Sequence, residues 1–191
     1  MRTWIALLIP CFSLAAGCST TEAGGDRAPL TEHALASDHA TADSHGAVVP
    51  ATPHASTPLP AVSLVDFDGK ALRIEAAAAG KPALVSFWAT WCEACLTEIA
   101  ALNRLHERVQ GNGGAVIGVA VGEPREKAAA FARAHGLRYP QLADEKLELA
   151  DALGQKRLPA TIVLDRQGRV VFVGGTLDEK ALAAFRGAME R

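Results

Sequence analysis

Trp91-Cys92-Glu93-Ala94-Cys95 places two thiols two residues apart, directly after an apolar run. Thiols at that spacing can close into a disulfide and reopen, passing an electron pair each time. Ala83-Leu84-Val85-Ser86-Phe87-Trp88 reads as a buried strand, while Leu96, Ile99, Leu102, Leu105 and Val109 recur at helical spacing. The cysteines therefore sit at a strand-to-helix junction. The unsatisfied N–H groups and the dipole at a helix start favour an anion, so Cys92, the first and more exposed thiol, ionises more readily than a free cysteine. That makes Cys92 the attacking nucleophile and Cys95 the resolving thiol. Glu98 lies three residues after Cys95, one helical turn along, where its carboxylate can face the pair and carry a proton. The plainer alternative is a solvated acid near a helix N-terminus.

Several elements must position this junction. Val62-Ser63-Leu64-Val65-Asp66-Phe67, an Asp68-Gly69 turn and Ala71-Leu72-Arg73-Ile74 read as a hairpin, followed by a short Ala-rich segment. Residues 115–121 form a second apolar strand, and Pro124 as first helical residue opens a helix over 125–135 that Gly136 stops. A further helix over about 146–153 precedes a strand at 160–164, a turn at 165–168 and a strand at 169–173. Thr176 with Glu179 makes a capping box for a last helix on which Leu182, Phe185 and Met189 share one face.

The N-terminus reads differently. Arg2, the apolar stretch 4–14 and Ala15-Ala16-Gly17-Cys18 have the layout of a secretory signal, too short for a membrane span. The small residues ending at Cys18 resemble a bacterial lipobox, in which the cysteine is lipidated and becomes the first mature residue. Ala15 stands where leucine is usual, and cleavage by an ordinary signal peptidase or an uncleaved anchor is the alternative. With Cys11 lost and Cys18 lipidated, two of the four cysteines remain as thiols, so no structural disulfide framework is expected. Residues 1–18 are thus a lipoprotein signal peptide and 19–57 a disordered Ala/Ser/Thr/His/Pro tether spanning roughly 35 Å. Residues 58–191 form one domain, long enough for a single core. His33, His39, His45 and His54 lie in the tether, but their spacing fits no compact ligand motif, which favours a solvated linker over a copper or zinc collector and leaves no metal site expected. A net charge of −2 without a basic cluster argues against nucleic acid as a partner.

Phe87-Trp88-Ala89-Thr90-Trp91-Cys92-Glu93-Ala94-Cys95 resembles the active-site signature of TlpA/ResA-like thiol-disulfide oxidoreductases, and the likeness extends through Leu158-Pro159-Ala160-Thr161 and Asp165-Arg166-Gln167-Gly168-Arg169-Val170. It implies an α/β, thioredoxin-like fold: a central mixed sheet, flanking helices, an added N-terminal β-hairpin and an insertion before the terminal strand pair. It further implies a cis Pro159 beside the disulfide, with Leu158 offering backbone hydrogen bonds to a substrate chain and Trp91 beside it. Tyr139-Pro140 is a competing cis candidate on sequence alone. Glu98 matches a functionally important glutamate of ResA-like proteins. The chain departs from the pattern at Ala94, where many relatives place proline, at Ser86, where many thioredoxins bury a carboxylate, and at Ala100, where a helix-kinking proline is common. Ala94 and Glu93 are therefore expected to tune the redox potential.

Glu93 and Glu98 are acidic, and no Lys, Arg or His lies between positions 83 and 103. Carboxylates oppose a second negative charge, which favours the disulfide and makes the dithiol an electron donor. The expected protein is an exported, membrane-tethered reductant of partner disulfides, of the cytochrome c maturation or copper-site assembly type. It would use no cofactor beyond its own Cys92–Cys95 disulfide. Its expected partners are disulfide-containing envelope proteins, a DsbD/CcdA-type membrane electron donor and, through Cys18, the lipid bilayer. It is expected on the periplasmic side of the cell envelope as a monomer; Ser19 after Cys18 would permit sorting to the outer membrane. The rival readings are a copper(I) carrier or metallochaperone using the two thiolates, a thiol oxidase, and a thiol peroxidase.

Overall fold

The computed structural model of the chain describes residues 56–191. The signal segment, Cys18 and the tether histidines lie outside the described residues.

Chain order is β1 (Thr57–Pro58), β2 (Leu64–Asp66), β3 (Ala71–Leu72), α1 (Ile74–Ala78), β4 (Ala83–Trp88), α2 (Glu93–Val109), β5 (Ala115–Val121), α3 (Arg125–Ala134), β6 (Gln141–Asp144), α4 (Glu148–Ala152), β7 (Ala160–Leu164), β8 (Arg169–Gly174) and α5 (Glu179–Met189). The strands form one mixed sheet in the order β1-β8-β7-β4-β5-β6-β2-β3. β4 pairs parallel with β5, and β5 with β6; β4 pairs antiparallel with β7 on its other side.

β4 is buried along its whole length, so its side chains serve both faces in turn. Val85 and Phe87 join Ile117, Val119, Ile162 and Leu164 in a core closed by Ile74 of α1 and Leu149 of α4. Leu84 points the other way, with Val116 and Val163, onto Leu102 and Leu105 of α2 and Phe185 of α5. A third cluster at one end of the sheet holds Trp88, Ala89, Cys92, Cys95 and Ala120 against Ala128 and Ala132 of α3. Alanines on that face of α3 let the helix approach the cysteine-bearing turn closely.

The added N-terminal hairpin is present. Asp66 Oδ1 accepts from the Asp68 and Lys70 N–H groups at 3.0 and 2.8 Å, fixing a turn that Gly69 completes at φ 94°. β2 then pairs antiparallel with β6, which the sequence reading did not include. Four residues with polar ends offer little periodicity to detect. Three local expectations need correction. Ile74 begins α1 and does not end a strand. Pro124 is the cap of α3, one residue before its first turn. Asp178, and not Thr176, caps α5 by accepting from the Ala181 N–H at 2.9 Å. The sheet also starts one residue before the expected domain boundary, since Thr57 pairs with Val170.

Candidate thiol-disulfide site

β4 delivers the chain to a turn in which the Cys92 N–H donates to the Ala89 carbonyl at 3.1 Å. Cys92 is the N-cap of α2, with extended backbone. Its sulfur takes the place of a capping oxygen: the Cys95 N–H reaches both the Cys92 carbonyl, at 3.0 Å, and Cys92 Sγ, at 3.2 Å. An N–H aimed at the sulfur from a helix start is the arrangement that stabilises a thiolate there. Cys92 and Cys95 are joined in a disulfide with their Cα atoms 5.3 Å apart. The expected difference in exposure is absent in this oxidised form, because each cysteine retains 6 % of its surface. What distinguishes them is the N–H directed at Cys92 Sγ. Glu93 and Ala94 between them are exposed.

Glu98 is buried on the first turns of α2. Its Oε1 accepts from the Leu177 N–H at 2.7 Å, while Oε2 is buried without a partner. Burial pushes the Glu98 carboxyl above the ordinary carboxylate range, and the bond from Leu177 opposes this only in part. The group can therefore carry a proton closer to neutral pH than a solvated glutamate. Ser86 is also buried, and with Cys95 and Tyr139 it lines a cavity of about 10 Å³, room for about one water.

The Leu158–Pro159 peptide bond is cis, the isomer implied by the resemblance; Tyr139–Pro140 is not among the cis bonds. Leu158 packs against the cluster that contains both cysteines. Leu158 and Trp91 line one groove of about 560 Å³, with Phe87 and Val121 beside them. Trp91 is 67 % exposed there. Trp91 and Leu158 thus share one groove, and Leu158 also packs against the cysteine cluster, while Glu98 lines neither that groove nor the small cavity.

Two supporting residues escaped the sequence reading. Glu123, 5 % exposed in the loop after β5, accepts from the Thr90 N–H at 2.8 Å and the Thr90 hydroxyl at 2.6 Å. Lys127 balances its charge at 3.1 Å. A buried carboxylate thereby holds the turn immediately before Cys92. Gln141 accepts from the Trp88 indole N–H at 2.9 Å and donates to the Tyr139 carbonyl at 3.0 Å. Gly118 makes this arrangement fit, since a Cβ there would lie 2.1 Å from Gln141 Oε1. Neither pairing has a local signature, because each partner is more than thirty residues away. Among the described residues no group of three or more His, Cys, Asp or Glu side chains is placed to hold a metal, and no helix is long and apolar enough to cross a membrane.

Comparison with known proteins agrees with this geometry. Residues 55–173 match the AhpC/TSA family. The thiol-disulfide oxidoreductase ResA of Geobacillus thermodenitrificans is 33 % identical over 102 residues, covering 53 % of this chain and 59 % of that protein. ResA of Bacillus subtilis is 29 % identical over 120 residues, covering 62 % and 66 %. The matches thus span less than two thirds of these curated relatives. Among solved structures, a secreted thiol-disulfide isomerase from Corynebacterium glutamicum superposes with a TM-score of 0.60 at 26 % identity, covering 70 % of this chain and 86 % of that one. A thiol:disulfide interchange protein from Chlorobium tepidum gives 0.58 at 26 %, covering 72 % and 99 %. With a paired Cys-x-x-Cys at a strand-to-helix junction, a cis proline beside it and a family match over more than half its length, the chain belongs to the AhpC/TSA family and has its thioredoxin-like fold.

Proposed function

We propose that this protein is a thiol-disulfide oxidoreductase that reduces disulfides of partner proteins outside the cytoplasm. The observation that carries the reading is the Cys92–Cys95 disulfide with the Cys95 N–H directed at Cys92 Sγ. In the reduced protein the Cys92 thiolate attacks one sulfur of a partner disulfide. A Cys92–partner mixed disulfide forms and the other partner sulfur leaves as a thiolate. Cys95 then loses its proton and attacks Cys92 Sγ, closing the internal disulfide and releasing the second partner thiolate. The partner gains two electrons and takes up two protons, and this protein loses the same. Glu98, with its raised pKa, is the carboxyl suited to accept a proton from this pair and return it during recharging. Leu158, next to cis Pro159, and Trp91 would hold the substrate chain against the sulfurs.

Recharging requires a dithiol donor, for which a DsbD/CcdA-type membrane protein is the proposed source. The N-terminal segment supports export and lipid anchoring through Cys18, with residues 19–57 as tether and the domain acting as a monomer on the periplasmic side. Glu93 and Ala94, exposed between the sulfurs, are the proposed tuners of potential. The related ResA proteins, named as thiol-disulfide oxidoreductases, support the reaction class.

The test is reduction of insulin by the reduced full-length chain, alongside Cys92→Ser and Cys95→Ser. Catalysed reduction by the native protein, none by Cys92→Ser and stable mixed disulfides on Cys95→Ser are expected. Consumption of hydrogen peroxide without insulin reduction would support the peroxidase reading instead, and copper(I) binding without exchange the carrier reading.

A further inference from the structure

Among the described residues, the only exposed large hydrophobic side chains are Trp91 and Leu147. Both line the same groove. Apolar residues scattered singly over a surface need no explanation, but two that line one groove together with Phe87, Val121 and Leu158 form a patch with a use.

Leu147 is held there at a cost. Its backbone lies in the left-handed region at φ 63°, which a residue with a Cβ occupies only under strain. Asp144 enforces the conformation. Its carboxylate Oδ2 accepts from the Leu149 and Ala150 N–H groups at 3.1 and 2.9 Å, and its carbonyl accepts from the Leu147 N–H at 3.1 Å. Beneath Leu147, Gly122 has no Cβ; one added there would lie 3.3 Å from the leucine methyl. The turn between β6 and α4 thus presents an exposed leucine to the groove that also holds the tryptophan preceding Cys92.

The charged rim is asymmetric. Lys156 is paired with Asp151 at 2.6 Å. Arg157, exposed on the same groove and adjacent to Leu158, takes part in none of the ion pairs or hydrogen bonds found among the described residues. A free guanidinium beside an apolar cleft is complementary to a carboxylate flanking an apolar side chain.

We propose that the Trp91–Leu147 groove receives a segment of the substrate polypeptide that carries a bulky apolar residue and an acidic residue beside its disulfide, the first seated between Trp91 and Leu147 and the second on Arg157. This inference rests on the proposed reductase function and adds to it a class of substrate. The groove begins one residue before the attacking cysteine, so a chain seated in it brings its own sulfurs to Cys92.

The test uses the reduced full-length protein and short peptides, each closed by one internal disulfide. One pair differs by Glu or Lys next to the first cysteine, and a second pair by Leu or Ser. Second-order rates of reduction are compared with that of hydroxyethyl disulfide, which is too small to reach across the groove. The Glu peptide should react about fivefold faster than the Lys peptide at low salt, and R157E should reverse that order. The Leu peptide should exceed the Ser peptide by about tenfold, and Leu147→Ser should shrink the ratio. A reversed preference cannot come from misfolding, which lowers both rates together. Reduction of hydroxyethyl disulfide and of every peptide at equal rates would overturn the groove assignment and leave the reductase function standing. Failure to reduce any disulfide would overturn that function, and the groove assignment with it. A dimer seen by sedimentation and dissolved by Leu147→Ser would give the groove to a second copy and also overturn the proposal.

Discussion

The turn from β4 into α2 and the turn from β6 into α4 border the same groove and are each held by a buried carboxylate, Glu123 and Asp144, yet they present opposite things to it. In the first, the polar groups described above have their partners. Thr90 gives both its N–H and its hydroxyl to Glu123, the Trp88 indole donates to Gln141, and the Cys95 N–H points at Cys92 Sγ. In the second, a leucine is kept in a left-handed conformation with its side chain 39 % exposed above Gly122. The contrast separates two demands. Exchange chemistry needs sulfurs held in one geometry, whereas recognition can tolerate a strained, exposed side chain that gains its contacts only when a partner arrives.

The comparison can be broken most severely at Glu123. Glu123→Ala removes two acceptors from Thr90 and leaves a part-buried N–H unpaired, so a loss of about 2–3 kcal/mol is expected in urea unfolding, together with slower insulin reduction. Unchanged stability would show that the turn before Cys92 does not depend on this carboxylate. Gly118→Ala comes next. The added methyl displaces the Gln141 amide and with it the bond to Trp88, costing about 2 kcal/mol by the same measurement.

Glu98→Gln keeps an acceptor for the Leu177 N–H and removes the titration. Burial raises the native pKa, so the folded chain holds this proton at pH values where the unfolded chain has released it. The stability linked to Glu98 is fully present below the ordinary carboxylate value of the unfolded chain and is lost as pH rises through the higher folded value. Urea melts across that window should show native stability falling relative to the glutamine variant as pH increases. The pH dependence of Cys92 alkylation should also change, because Glu98→Gln withdraws the proposed proton carrier. Parallel pH curves in both measurements would remove Glu98 as a titrating partner.

The smallest effect carries an informative sign. Leu147→Gly should relieve the left-handed backbone and stabilise the fold, by up to about 1 kcal/mol, while weakening the preference for apolar peptides. Destabilisation would mean that Leu147 packs into the fold more than its exposure indicates.

These effects also show what local sequence can and cannot reveal. The cysteine pair, the strand before it and the helix after it were legible because chemistry and periodicity occupy one continuous stretch, Ala83 to Val109. The hairpin was legible from Asp68-Gly69 between alternating residues. Pro159 became visible only through resemblance, since no local rule separates it from Pro140. Glu123 and Gln141 were silent. Each supports the site from across the sheet, and an isolated glutamate or glutamine in a sequence does not indicate what it will meet. Leu147 looked like one more apolar position of a helix over 146–153, until Asp144 shortened that helix to Glu148–Ala152 and turned the leucine outward. The cap of α5 was misplaced for a similar reason: Thr176 and Asp178 both suit the role, and only the backbone path decides between them.

Electron donation by the cysteine pair is the property on which the proposed function depends. It is tested most directly by equilibrating the full-length protein with a defined dithiol/disulfide buffer and measuring the Cys92–Cys95 potential. With acidic residues at positions 93 and 98 and no cation in the surrounding sequence, a value near that of thioredoxin, about −270 mV, is expected. A value near −120 mV, the range of DsbA, would contradict the claim and make the protein an oxidant.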